Sequence, residues 1–202
     1  MEYLLRKETK ADWHDAEWVT KKAFWNLHVP GCNEHLLVHK LRQDASYVPE
    51  LTRVAEIGGR IVGAIYYAVG RVQNGDERTE MLTFGPLCVD PEFQRMGIGG
   101  ALLDTTLGLA AQLGWKAVII YGEPDYYPRH GFCPCERFGI TTPEGENFPA
   151  FLAKELLPCG LEGVHGQFFD PPVYFDLPQE ELEEFDKAFP YMEKRHLPGQ
   201  WV

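Results

Sequence analysis

The chain lacks any long apolar run: nowhere do its 202 residues approach the ~18 consecutive apolar positions of a membrane helix, so none is expected. Basic residues are also short, with 19 Lys and Arg against 30 Asp and Glu, a formal charge of −11. That balance disfavours the phosphate backbone of DNA or RNA as a partner. Cysteine is sparse and odd in number, and Cys32, Cys88, Cys133, Cys135 and Cys159 are too scattered for a disulfide framework. The opening Met1-Glu2-Tyr3-Leu4-Leu5-Arg6 is too short in apolar residues for an export signal, so the expectation is a cytoplasmic protein with reduced thiols. Cys133-Pro134-Cys135, even with His130 and His165, has Cys-x-Cys spacing and no second pair, so no metal site is expected. Internal repeats and low-complexity stretches are missing as well.

What is present suits one substantial core: 45% of the residues are apolar and 24% charged. Tyr3 to Lys7 reads as a first strand, and Thr9 or Asp12 can cap a helix reaching about Asn26. Pro30-Gly31 breaks that helix, and Asn33 opens a shorter one with Leu36, Leu37, Val38 and Leu41. Leu51 to Ile57 and Arg60 to Val72 are strands joined by Gly58-Gly59, a two-residue hairpin signal. A second turn at Gln73 to Asp76 leads to a third strand, Thr79 to Val89. Gly85-Pro86 inside it removes a ladder donor and weakens pairing, which predicts a bulge or a local parting of strands.

Beyond that meander, Ile98 to Gly114 has the apolar spacing of a crossover helix, and Ala117 to Tyr121 that of a buried parallel strand. Gly122 to Phe132 suggests a brief helical turn closed by Gly131. Phe151 to Leu156 is a strand candidate, Pro171 to Phe175 reads as extended, and Pro178 to Met192 as an acidic helix. The fold class expected is mixed α/β (α+β): a central, mostly antiparallel sheet with a parted strand pair and helices on both faces.

Gln94-Arg95-Met96-Gly97-Ile98-Gly99-Gly100-Ala101 joins the third strand to the crossover helix. Three glycines in four positions cost conformational entropy, and close approach of backbone to an anion accounts for that cost. A P-loop would need a lysine after the glycines, and a dinucleotide fingerprint would need glycine at Leu102. Neither is there. The segment instead resembles the [Gln/Arg]-x-x-Gly-x-[Gly/Ala] signature of the GNAT superfamily of acetyl-CoA-dependent N-acetyltransferases. Leu87 to Phe93 precedes it as that family's strand and turn do, and Tyr126-Tyr127-Pro128-Arg129-His130-Gly131-Phe132 resembles the family's aromatic–Tyr…Gly-Phe element.

The resemblance covers about Tyr3 to Leu156. It implies a GNAT-like domain over residues 1–156 and a C-terminal extension, 157–202, packed on the same domain. It further implies that the amides of Gln94, Arg95, Met96, Gly97, Ile98, Gly99, Gly100 and Ala101 wrap the CoA pyrophosphate. Leu87, Cys88 and Val89 would pair their backbone with the pantetheine arm and offer an N–H to the thioester oxygen. Tyr127 would be the general acid that protonates the departing thiolate, with Tyr126 its packing neighbour. Many family members carry a glutamate base where Gly85 stands, so Glu80, Glu123, Asp125, His130 or a water chain must serve here. Cys88 is read as packing rather than as an acetyl-carrying nucleophile.

The implied activity is acetyl transfer from acetyl-CoA, a co-substrate, to a primary amine of a small molecule by direct attack in a ternary complex. Phe24, Trp25 and Asn26 are the candidate acceptor-lining residues. No nucleic acid, membrane or metal is expected to take part, and the chain is expected to be a monomer or homodimer. Two other functions fit the same resemblance: an acyl-CoA sensor without turnover, and a protein-lysine or N-terminal acetyltransferase.

Overall fold

The computed structural model of the chain describes residues 2–201. β1 (Leu4–Lys7) pairs antiparallel with β2 (Arg53–Ile57), and α1 (Trp13–Phe24) and α2 (Glu34–Leu41) lie between them in sequence. Asp12 fixes the start of α1: its carboxylate accepts from the Thr9 backbone N–H and hydroxyl and takes both Arg6 guanidinium nitrogens at 2.7 Å. Gly58 and Gly59, with φ of 57° and 84°, turn β2 into β3 (Arg60–Asn74); two consecutive positive φ values favour glycine because it lacks a Cβ. Gly75-Asp76 then leads into β4 (Glu77–Val89).

The β3–β4 register slips at its middle. Ile65 faces Leu87 but Tyr67 faces Phe84, so Tyr66 alone stands against Gly85 and Pro86, which are joined by a cis peptide bond. The bulge expected from the Gly-Pro pair is present. β5 (Ala117–Tyr121) runs parallel to β4, joined in register at Leu82 and Val118, and beyond that point the two strands part.

The crossover α3 (Ile98–Gln112) covers one face of the sheet. Its Ile98, Leu102, Leu103, Leu107 and Ala110 pack with Ile65, Tyr67, Leu82, Phe84 and Ile120. α1 and α2 cover the other face, where Ala16, Val19, Leu37 and Leu41 meet Ala64, Tyr66, Ala68 and Cys88. The alternation of Ala64, Ile65, Tyr66 and Tyr67 between these clusters is the period of two that a strand buried on both faces requires. Burying each Leu or Ile contributes about 1.5–3 kcal/mol.

β6 (Cys133–Pro134), β7 (Ile140–Thr141), β8 (Phe151–Glu155) and β9 (Gly166–Phe169) complete the sheet. β8 pairs antiparallel with β5 and β6, whereas β9 pairs with β7 and with Arg71–Gln73 of β3. Residues 157–202 thus give a strand to the sheet itself, which four residues, Gly-Gln-Phe-Phe, are too short to announce by alternation. Two local expectations are corrected. Pro171 to Phe175 is not extended throughout but folds as a 3-10 turn at Pro172–Tyr174. The acidic helix is only α4 (Gln179–Phe185) with a 3-10 turn at Asp186–Ala188, because Pro190 forces Phe189 into an extended conformation (φ −122°, ψ 158°). Among the described residues no helix is long and apolar enough to cross a membrane.

Candidate active site

The glycine loop is held from below by Asp90, which is 1% exposed. Its carboxylate accepts from the Glu92 N–H, from Arg60 at 2.7 Å and from Lys22. Burial alone would raise this carboxyl, yet Lys22, Arg60 and the N–H hold it below the usual carboxylate range. A fixed Asp90 anchors the turn Pro91–Phe93, and Gln94 adds a bond from its amide to the Val89 carbonyl at 3.2 Å. The chain then enters α3 through Arg95 (φ 62°) and Gly97 (φ 82°). Ala101 donates the first helical bond back to Gly97, so the N–H groups ahead of it open α3 without an intrahelical partner. Unpaired N–H groups at the positive end of a 15-residue helix make an anion site. Arg95 and Met96 are exposed beside it.

Leu87, Cys88 and Val89 pair with Ile65, Ala64 and Gly63 on one side, while their other side faces the gap left by β5. Backbone groups along that gap are free to pair with an extended ligand. The Cys88 side chain does not enter it. Its thiol lies 3.3 Å from the Thr20 hydroxyl under α1, and burial pushes it up to about 11, so it stays a packed, neutral thiol.

Tyr127 opens the 3-10 turn Tyr127–His130 beside the same gap. Its ring packs against Phe84 of β4 (centroids 5.8 Å apart) and Phe132 (5.4 Å). Gly122 makes room for it, since a Cβ there would fall 2.2 Å from the Tyr127 Cε2. Burial, then Tyr126 and Glu123, raise the Tyr127 phenol well above its ordinary value, so it keeps its proton throughout the physiological range. Tyr126 stands edge-on to Tyr127 at 5.1 Å, and its hydroxyl hangs over the first turn of α3, 3.7 Å from where a Cβ on Gly99 would lie. His130 closes this side through a 2.7 Å bond from Nδ1 to Asp104 of α3.

On the α1 and α2 face, the chain leaving β9 crosses Gly70, where a Cβ would come within 2.8 Å of the Phe169 carbonyl oxygen. It then lays Asp170 against Thr83 and Tyr174 over Gly85, whose carbonyl accepts from the Tyr174 hydroxyl at 3.1 Å. Phe24, Trp25 and Asn26 lie at the C-terminal end of α1. Trp25 and Asn26 both donate to the Glu193 carbonyl, and Asn26 accepts from the Gly31 and Arg195 N–H groups, so these side chains tie down the last residues of the tail. Phe24 packs at the rim of the α1 cluster.

A second constellation has the order of a thiol triad but not its chemistry. Cys32 Sγ lies 3.6 Å from His35 Nδ1, and His35 Nε2 lies 2.8 Å from Asp186, which also accepts from buried Lys21 at 2.7 Å. Burial first, and Lys21 in part, push His35 down to about 4, while burial raises the Cys32 thiol far out of reach of a neutral base. The group clasps the tail to α1 and α2.

Comparison with known proteins fits this geometry. Residues 49–134 match the family model of the acetyltransferase (GNAT) domain, the stretch that holds β4, the glycine loop, α3 and Tyr127. That stretch is similar to the GNAT acetyltransferase domain over its whole length. It is 37% identical over 99 residues to the uncharacterized N-acetyltransferase YjhQ of Escherichia coli K12, a match spanning 49% of this chain and 55% of that protein. It is 27% identical over 133 residues to the uncharacterized N-acetyltransferase YhbS of the same strain, spanning 66% and 78%. The fold is that of the crystal structure of E. coli YhbS in complex with CoA (TM-score 0.78, 24% identity, 88% of this chain and 94% of that one). A Brucella melitensis GNAT acetyltransferase in complex with acetyl-CoA is similar too (TM-score 0.69, 23% identity, 86% and 98%).

Within this fold, the glycine loop, Leu87 to Val89 and Tyr127 come together around one gap in the sheet. Asp170, Tyr174 and Gly122 escaped the sequence reading. A lone Asp before Pro171-Pro172 carries no periodic signal, and Gly122 looks like any turn residue until the Tyr127 ring is placed above it.

Proposed function

We propose that the protein is an N-acetyltransferase that moves the acetyl group of acetyl-CoA to a primary amine of a small molecule, with both substrates bound at once. The observation that carries this reading is the parted β4–β5 pair, flanked by the unpaired amides of the glycine loop and by the protonated Tyr127. The N–H groups from Gln94 to Gly100 would hold the pyrophosphate, Ala101 being spent on its helical bond to Gly97, and the open edge of Leu87, Cys88 and Val89 would align the pantetheine arm. An N–H on that edge would stabilise negative charge growing on the thioester oxygen, and Tyr127 would hand its proton to the leaving sulfur. Holding two reactants in one gap supplies the larger part of the rate, since positioning replaces a bimolecular encounter. The tail laid over Thr83 and Gly85 favours a small amine over a peptide, because it covers the face from which an acceptor would approach.

A thermal-shift titration with acetyl-CoA, followed by thiol release across a panel of primary amines, tests the reading. A co-substrate at several hundred times its Kd raises stability by about 3 kcal/mol. Absence of any shift with acetyl-CoA or CoA refutes it. A shift without thiol release on any amine or peptide would instead identify a binding module.

A further inference from the structure

Gly85 leaves β4 without a carboxylate at the gap, and the tail brings one from outside the strand. After β9 the chain can pass over β3 only at Gly70, where Phe168 and Phe169 approach within 2.9 Å of a Cβ position. That crossing at one end, and the Tyr174 hydroxyl on the Gly85 carbonyl at 3.1 Å at the other, hold the intervening Asp170 beside Thr83, one residue beyond the last β4–β5 pair. Tyr121, at the end of β5 on the far side of the gap, feels the charge of Asp170, as does Tyr174 four residues on. Asp170 therefore stands at the mouth of the gap on the α1 and α2 face. Tyr127, packed on Phe84, stands on the α3 face.

We propose that Asp170 is the general base of the reaction, taking the proton from the acceptor's ammonium group on the face of the sheet opposite Tyr127. The inference rests on the acetyltransferase reading above. The other carboxylates considered serve less well: Glu80, Glu123 and Asp125 are exposed, and His130 is bound to Asp104 beside α3. The carboxyl of Asp170 is pushed up to about 7 by burial, against the pull of the neighbouring Thr83 hydroxyl, because its surroundings supply no countercharge of their own. Tyr121 and Tyr174 face it as neutral phenols, both raised by burial. Arg71 of β3 stacks its guanidinium over Phe169 at 5.0 Å, with Glu80 opposite it in the ladder. On α2, His39 is engaged with Glu17 and Lys40 with Asp176 and Glu181. An ammonium ion entering the gap would provide the missing positive charge, and a base titrating near neutrality is matched to accept its proton.

The step balances. Asp170 takes one proton from the ammonium, and the freed lone pair forms the N–C bond to the thioester carbonyl. As the C–S bond breaks, sulfur takes the proton of Tyr127, and the second N–H proton of the attacking nitrogen replaces it. The products are the amide, the free thiol and one proton, which Asp170 releases to water.

The test compares the full-length wild type, D170N, D170E and T83V with an amine found in the panel. For D170N, kcat should fall at least about 100-fold while the acetyl-CoA thermal shift is retained, and D170E should recover part of the loss. The wild-type to D170N ratio of kcat/KM should climb with pH through about 7 and then level, since the ionisation of the amine itself is common to both. T83V removes the neighbouring hydroxyl that favours the carboxylate, so its rising limb should move to higher pH. A wild type that turns over beside a D170N of equal rate, or one reduced by the same factor at every pH, overturns the role of Asp170 and leaves the acetyltransferase reading intact. A wild type without acetyl-CoA binding overturns both.

Discussion

The clasp of His35, Asp186 and Lys21 that ties the tail to the first two helices should make stability fall with acid in a defined window. His35 is fully buried between Phe185 and Phe189, with ring centroids 5.6 Å from each. With the imidazole neutral, its Nε2–H donates to Asp186 and Nδ1 accepts from the Cys32 thiol. Protonation would place an N–H against that thiol and a second positive charge near Lys21. The folded-state value near 4 lies below the ordinary 6.5, so between these values the unfolded chain binds more protons than the folded one. The contribution of neutral His35 is fully present above pH 6.5 and is lost as pH falls toward 4. At about 1.36 kcal/mol for each tenfold change in proton affinity, the gap corresponds to about 3 kcal/mol. Urea unfolding of the wild type and H35Q at half-unit steps from pH 7.5 to 4 measures it. H35Q should be less stable at pH 7.5 through lost packing, yet the difference between the two proteins should shrink by about 3 kcal/mol on acidification. Parallel stability curves for the two proteins would refute the assignment of a neutral, proton-refusing His35.

Two further substitutions probe the chemistry directly. Y127F keeps the ring between Phe84 and Phe132 and removes only the proton donor, so kcat should drop about 100-fold or more while acetyl-CoA still shifts the melting temperature; unchanged kcat would remove Tyr127 from the mechanism. G122A drives a methyl into the Tyr127 ring, whose Cε2 lies 2.2 Å from that Cβ position, and should cost about 1–3 kcal/mol of stability together with activity; a melting temperature and rate equal to wild type would show that Gly122 does not set the position of the ring.

Local rules reached far along the middle of the chain. Gly58-Gly59 and Gly75-Asp76 sit at turns that need their backbone freedom or polarity, and the meander between them follows from turn chemistry and alternation. Gly85-Pro86 disturbs the ladder because one residue cannot pair well and the other cannot donate, whatever the rest of the chain does. The same reasoning covers the glycine loop, since a helix start with unpaired amides is a property of some eight consecutive residues.

Tail reading failed once on a local rule and otherwise where the controlling partner lay far away in sequence. Pro190 shortened the acidic helix by a local rule that the apolar spacing of Leu182, Phe185 and Phe189 had masked. β9 exists because β3 outruns β2 and leaves Arg71 to Gln73 an edge to be paired. Trp25 and Asn26 looked like pocket residues on a helix end, but their polar atoms are spent on backbone groups of residues 193 and 195.

By itself, then, the order of residues determined the sheet meander, the parted strand, the anion-ready helix start and the tyrosine beside the Gly-Phe element, because each is written within a dozen neighbouring positions. Only the tertiary structure decided which carboxylate stands at the gap and which cysteine is inert. Those outcomes depend on burial and on the charges nearby, as with Asp170 reaching Thr83 across 87 positions of sequence, and neither quantity exists until the chain has closed over itself.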